Sequence, residues 1–372
     1  MKTNKFLIGF LLQATVCSSG LHAQTDLHAN AYSIIQDAVT DIVCTSPTDA
    51  IQKEKRVIQI LDEKGKGDAS FVCMCDRFSS LKKFSGEVRD ASGNVIRKIK
   101  KSELKVTEYS DELVSDDYYY FFEYTPSRYP ITITYEWEIK NSDGLIGYPS
   151  FLPQKNYNQS VAQASYRILT PADNPCRYRT INMQAEVSQK QTADGNWLTE
   201  VKVQSLPAIQ KEPYSPALSE LLPRIYFTPR NFSFEGTKGS MDNWQTYGAW
   251  QYQLLSGRDQ IPPALKEELQ RRTANCNTPY EKIAAVYQYL ASTTRYVSIQ
   301  LGIGGLQPIA AADVHRTGFG DCKGLSNYMR AMLTELGIPS TYTVISTTSR
   351  RLLADFASAN QNNHVILSKV YR

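Results

Sequence analysis

The chain has 372 residues, with 41 Lys and Arg against 37 Asp and Glu, and its formal net charge is +4. So small a surplus excludes a strongly basic nucleic-acid binder and an acidic solvated tail as default readings. Hydrophobic residues make up 42% and charged residues 21%, enough for a buried core, and the length suggests two or three domains.

Residues 1–23 read as a secretory signal peptide. Lys2 and Lys5 form the positive start, Phe6 to Val16 the apolar run, and Ala23 the small residue before a cut. The mature chain is expected to be exported, periplasmic or associated with the outer envelope, with no transmembrane segment. An oxidising compartment permits disulfides among Cys44, Cys73, Cys75, Cys176, Cys276 and Cys322. The cysteine spacing and the scarcity of His predict neither metal nor cofactor.

The next stretch, 24–206, reads as β-rich. Ile131 to Lys140 alternates apolar and polar residues, as a half-buried strand does. Turn signals at 91–94, 141–144 and 193–196 predict hairpins. Together they predict an N-terminal antiparallel β-sandwich-like domain. The aromatic run Tyr118 to Phe122 fits a strand shared between core and surface. Pro207, Pro213, Pro216, Pro223 and Pro229 then mark a linker, with an irregular segment to residue 255.

From 256 the period becomes helical, giving an α+β fold class overall. A short helix is predicted over 262–273. Thr278-Pro279-Tyr280-Glu281 opens another with a capping box. Gly302, Gly304 and Gly305 form a loop that matches no phosphate-binding pattern. Asp313, His315 and Arg316 read as loop and turn residues. A third helix starts at Cys322, with Leu325, Met329, Met332, Leu333 and Leu336 on its apolar face and Gly337 as its cap. Strands follow at 341–347 and from Asn363.

Cys322 is therefore a candidate nucleophile: amides at a helix N-terminus favour thiolate over thiol and can hold an oxyanion. His364, 42 positions later, is the candidate base, with His315 a distant second. Gln300 and Gln307 are candidate oxyanion donors.

Gly320-Asp321-Cys322-Lys323, the helix ending Leu336-Gly337-Ile338-Pro339, and Asn363-His364-Val365-Ile366 resemble the transglutaminase-like superfamily, with its papain-like Cys-His-Asp core. The resemblance covers residue 279 onward and implies Cys322 as nucleophile and His364 as base. Lys83 to Val88 and Gly93 to Ile96 resemble the β-rich DUF3857 domain that precedes such cores in exported Bacteroidetes proteins. Two positions depart from the pattern. Gly324 stands where the family usually has Asp, and no acidic residue lies between His364 and Arg372, so the core is expected to be C-terminally truncated. Asp355 precedes His364 and is not the motif-matched orienter. The resemblance implies thiol-dependent acyl transfer on a peptide or amide, as a cysteine peptidase, amidase or transglutaminase-like enzyme. The alternative is a catalytically inactive envelope scaffold whose sandwich binds protein or glycan. A peptide or protein substrate is expected, and no nucleic acid.

Overall fold

The computed structural model describes residues 26–108, 114–348 and 352–369. The expected signal peptide and Arg372 lie outside them. Among the described residues no helix is long and apolar enough to cross a membrane.

The first region is a succession of strands: β1 (Ser33–Cys44), β2 (Ala50–Ile60), β3 (Phe71–Cys75), β4 (Ser79–Arg89), β5 (Val95–Lys100), β6 (Lys105–Glu108), β7 (Val114–Ser115), β8 (Tyr118–Phe122), β9 (Ile131–Asn141), β10 (Gln159–Thr170), β11 (Arg177–Ile181), β12 (Val187–Gln191) and β13 (Trp197–Leu206). Eight of them form one sheet in the order β12-β13-β10-β1-β2-β9-β4-β5. Its pairings are antiparallel except β1 with β10, which run parallel. A parallel pair needs a long crossover, and the many residues between Cys44 and Gln159 provide one.

The period-2 pattern decides what this sheet buries. On β9, Ile131, Ile133, Tyr135, Trp137 and Ile139 are buried while the residues between them are less so. A three-stranded sheet, β3-β8-β6, covers that end. There Phe71, Cys73 and Cys75 join the core, while Val72 and Met74 point to solvent. The other end of the same face packs on a second cluster that includes Val161, Tyr166, Val201, Phe151 and Phe227.

Two expected hairpins form, β4–β5 across 90–94 and β12–β13 across 192–196. The third does not. After β9 the Ser142 N–H donates to the Phe78 carbonyl at 2.8 Å, and a Cβ on Gly144 would fall 2.3 Å from the Phe78 ring. That turn docks on Phe78 instead of reversing into a paired strand.

The segment expected to be an irregular linker holds short elements: α1 (Leu218–Leu221), β14 (Arg224–Thr228), β15 (Asn231–Phe234), β16 (Thr237–Ser240) and α2 (Trp244–Gln253). Pro223 and Pro229 bracket β14, leaving room for a five-residue strand that pairs with β11.

The remainder comprises α3 (Pro263–Thr273), α4 (Pro279–Thr293), β17 (Arg295–Tyr296), β18 (Ile299–Gln300), α5 (Ala311–Thr317), β19 (Phe319–Gly320), α6 (Cys322–Glu335), β20 (Thr341–Ile345) and β21 (His364–Ser368). Thr278 and Glu281 form the expected capping box of α4. Helix α6 is central: α3, α4, α5 and the β20–β21 hairpin all pack on it. The buried cluster there contains Leu265, Val286, Val314, Tyr328 and Met332.

Candidate functional site

The approach to Cys322 is held by two short strands. β17 and β19 pair in parallel, Tyr296 opposite Gly320, and the Val297 N–H donates to the Gly320 carbonyl at 3.0 Å. Gly318, with φ of 68°, turns the chain out of α5 in the left-handed region that favours glycine. Asp321 then caps α6, its Oδ1 accepting the Gly324 N–H at 2.8 Å. Cys322 is the first residue of that helix and is partly exposed. Its thiol therefore lies where unpaired helix amides carry partial positive charge.

The surroundings of the sulfur are specific. The Tyr296 hydroxyl lies against the Cys322 thiol and backbone; burial of that end, then the charges of Cys322 and Asp321, push the Tyr296 phenol up. Tyr342, on β20, has a buried hydroxyl with no hydrogen-bond partner. Burial pushes its phenol up as well, with further contributions from Cys322 and Asp321. Beneath the turn, Asp321 Oδ2 pairs with Lys323 Nζ, at 1% and 4% residue exposure, and the same ammonium reaches the Ile299 carbonyl at 3.5 Å.

His364 opens β21 opposite Ile345 of β20. The strand packs against α6. Val365 is buried and Leu367 joins the cluster around α6, so His364 and the 40%-exposed Ile366 take the alternate face. Among the described residues no hydrogen bond joins Cys322 to His364, and none joins the His364 ring to a carboxylate.

The other candidates lie apart. Gln300 is on β18, and its amide donates to Ser298 Oγ at 3.4 Å. Gln307 closes a tight turn through its backbone N–H, 2.7 Å from the Ile303 carbonyl. Neither side chain hydrogen-bonds to Cys322 among the described residues. Asp313, His315 and Arg316 lie on α5, a correction to the loop expected there. His315 Nδ1 meets the Tyr328 hydroxyl at 3.0 Å, pinning α5 to α6 six positions beyond Cys322, about 9 Å along the axis. Asp355 pairs with Arg179 at 3.2 Å, on the side of the β-rich region.

Tyr296, Tyr342 and Lys323 escaped the sequence reading. Lys323 stood in the Gly-Asp-Cys-Lys motif without a role of its own; Tyr296 meets Cys322, and Tyr342 comes within its electrostatic reach, through contacts between separate elements. The six cysteines after residue 25 are all free thiols. Burial pushes the Cys44 thiol up to about 12. No group of three or more His, Cys, Asp or Glu side chains able to hold a metal is present among the described residues.

Comparison with known proteins bears on this arrangement. Residues 50–210 match DUF3857, a domain of unknown function with a solved structure, and residues 267–368 match the transglutaminase-like superfamily. No curated protein matches the sequence. The crystal structure of a "putative protease" from Parabacteroides distasonis superposes with a TM-score of 0.68 at 14% identity, covering 90% of this chain. This chain spans 65% of that protein's length. An M1 zinc metallopeptidase from Deinococcus radiodurans reaches a TM-score of only 0.26 at 8% identity, over 52% of this chain and 42% of its own, too low to bear on the fold. The Parabacteroides likeness is one of overall fold, and the sequence carries a match to DUF3857 followed by a match to the transglutaminase-like superfamily.

Proposed function

We propose that the protein is a thiol-dependent acyl-transfer enzyme acting on a peptide or amide, with Cys322 as nucleophile and His364 as base. The observation that carries this reading is the position of the Cys322 sulfur, partly exposed at the capped N-terminus of α6. In the reaction the Cys322 thiol gives its proton to the His364 imidazole, and the thiolate forms a C–S bond to the carbonyl carbon. The negative charge gathers on the carbonyl oxygen, where the helix amides and the unpartnered Tyr342 hydroxyl could donate to it. Collapse breaks the C–N bond, and the imidazolium returns its proton to the departing amine. Water then hydrolyses the thioester; an amine in its place would give transfer. Hydrolysis is favoured because it needs no second substrate site. This scheme requires the imidazole to come within hydrogen-bond reach of the sulfur on substrate binding. Export to the periplasm or outer envelope is part of the same proposal.

The missing Cys322–His364 hydrogen bond favours a second reading, an inactive scaffold that uses the β-rich region to bind envelope protein or glycan. One measurement separates them. Iodoacetamide labelling at neutral pH, read by mass spectrometry peptide by peptide, compares Cys322 with Cys276, the other partly exposed thiol. The enzyme reading expects Cys322 to react at least tenfold faster than Cys276, and Cys322→Ala to remove that rapid phase. Equal rates at the two thiols would reject the activated nucleophile.

A further inference from the structure

The core-facing side of β2 is not apolar throughout. Strand pairing aligns Ala50, Gln52, Glu54, Arg56, Ile58 and Ile60 with the buried positions of β9, with Glu54 opposite Trp137 and Arg56 opposite Tyr135. Gln52, Glu54 and Arg56 thus point inward from a strand that lies mid-sheet, between β1 and β9. Inward charges on an edge strand guard against aggregation, but a central strand has no such need. Inward-facing charges without ion-pair partners are uncommon and mark a position where folding alone does not explain the sequence.

Glu54 and Arg56 line a cavity of about 740 Å³. It lies where the two hydrophobic clusters of the sheet part, roofed by residues 150–155, by β14 and by residues before β21. Glu54 is already served, accepting from Thr40 Oγ1 at 2.9 Å and from Gln52 Nε2 at 2.8 Å. The cations are served only at longer range, Arg56 by Glu54 and Asp68 and Lys155 by Glu54. Arg56, Lys155 and Arg224 all line the cavity, and none makes an ion pair among the described residues. Arg56 lies over the Trp137 ring, and Arg224 donates to the Tyr226 hydroxyl at 2.9 Å. Lys155 is exposed at the wall of the cavity. Burial, and then Arg56, pull its ammonium down to about 8, with Glu54 opposing. With Glu54 and Glu220 as the carboxylates, the lining keeps one positive charge in excess.

We propose that this cavity is a binding site for the carboxylate or phosphate group of a small organic anion, held by Arg56, Lys155 and Arg224. An anion there would give the three cations the close ion pair that none of them makes among the described residues, and the serine and threonine hydroxyls of the wall would bind its polar body. The site is separate from Cys322 and does not rest on the acyl-transfer reading.

The test is isothermal titration of the full chain with inorganic phosphate in one arm and N-acetyl-alanine in the other. Saturable one-to-one binding of either probe is expected, and the arm that binds tells phosphate from carboxylate. Affinity should fall at least tenfold in Lys155→Gln and in Arg224→Gln, and should weaken as pH rises through about 8, where Lys155 loses its proton. These variants leave the Arg56–Trp137 stack intact, and circular dichroism checks their fold. Absence of binding in both arms, or binding that both folded variants retain at wild-type affinity, overturns the proposal.

Discussion

Asp321 Oδ1 accepts the Gly324 N–H at 2.8 Å while its Oδ2 faces the Lys323 ammonium, all within the first turn of α6. Both side chains are almost fully removed from water. A buried pair adds little net stability over an apolar replacement, but breaking one half strands a charge. Asp321→Ala should therefore cost about 3–5 kcal/mol from the unpaired ammonium, and roughly 1 kcal/mol more from the lost cap. The double variant Asp321→Asn with Lys323→Met removes both charges and keeps a capping oxygen. Urea denaturation should find it well above Asp321→Ala in stability. Equal losses in the two proteins would show that the pair does not act as a unit. The residue beside the sulfur is thus fixed by groups that never touch a substrate, so loss of activity in Asp321→Ala has to be read together with its folding.

Helix α6 also carries a position where the sequence departs from the pattern of the superfamily that residues 267–368 match. Gly324 lies in the first turn, and a Cβ there would meet Asp321 Oδ1 at 3.5 Å and the Ile309 and Val314 side chains at 3.6 Å, ordinary contact distances. An alanine fits, so Gly324→Ala should stabilise the fold by roughly 0.5–1 kcal/mol through helix propensity. A rise in the urea midpoint checks it; a fall would mean that the turn needs backbone freedom. A carboxylate on the same Cβ would lie beside that of Asp321, which makes glycine a consistent choice in this chain. The helix itself was legible because cap, apolar face and Gly337 agree over 14 residues. Strand β9 was legible for the same reason, with alternation unbroken from Ile131. Helix α5 was not. It has seven residues, Ala310 offers no side-chain cap, and only Ala311 and Val314 are buried, too little for a period to emerge. The site shows the same division. Cys322 and His364 stand out by motif, whereas Tyr296 and Tyr342 depend on which strands come to lie over α6, and that pairing is set by contacts far apart in sequence. The polar inner positions of β2 are visible as residues, but their inward direction appears only through the pairing register.

At the scale of the molecule, the two regions meet at two places: β7 pairs in parallel with β18, with the Gly302 N–H donating to Asp116 at 3.1 Å, and the chain that separates β20 from β21 crosses between them. The Leu353 carbonyl accepts from Trp244 Nε1 at 2.8 Å, and Ala357 enters a cluster with Phe232, Tyr247 and Trp250. Asn360 donates to the Tyr148 carbonyl at 2.9 Å, where Gly147 is bare because a Cβ would come within 2.9 Å of Asn360. Between them Phe356 is 2% exposed, with the Arg177 guanidinium over its ring at 5.2 Å. The residue that opens β21 after this crossing is His364. The β-rich region therefore acts on the candidate site by holding the far side of the hairpin that presents the imidazole. Phe356→Ala should cost about 3–5 kcal/mol, as buried aromatic truncations do. Because the loss falls on the crossing and not on either core, and leaves only the short β7–β18 pairing to join the regions, it should also weaken their coupling. Calorimetry is expected to show one transition for the unaltered protein and two for the variant. The Cys322 labelling rate should drop in the folded variant as His364 loses its anchor, whereas a variant that still melts in one step and labels at the original rate would mean that the crossing does not connect the sheet to the site.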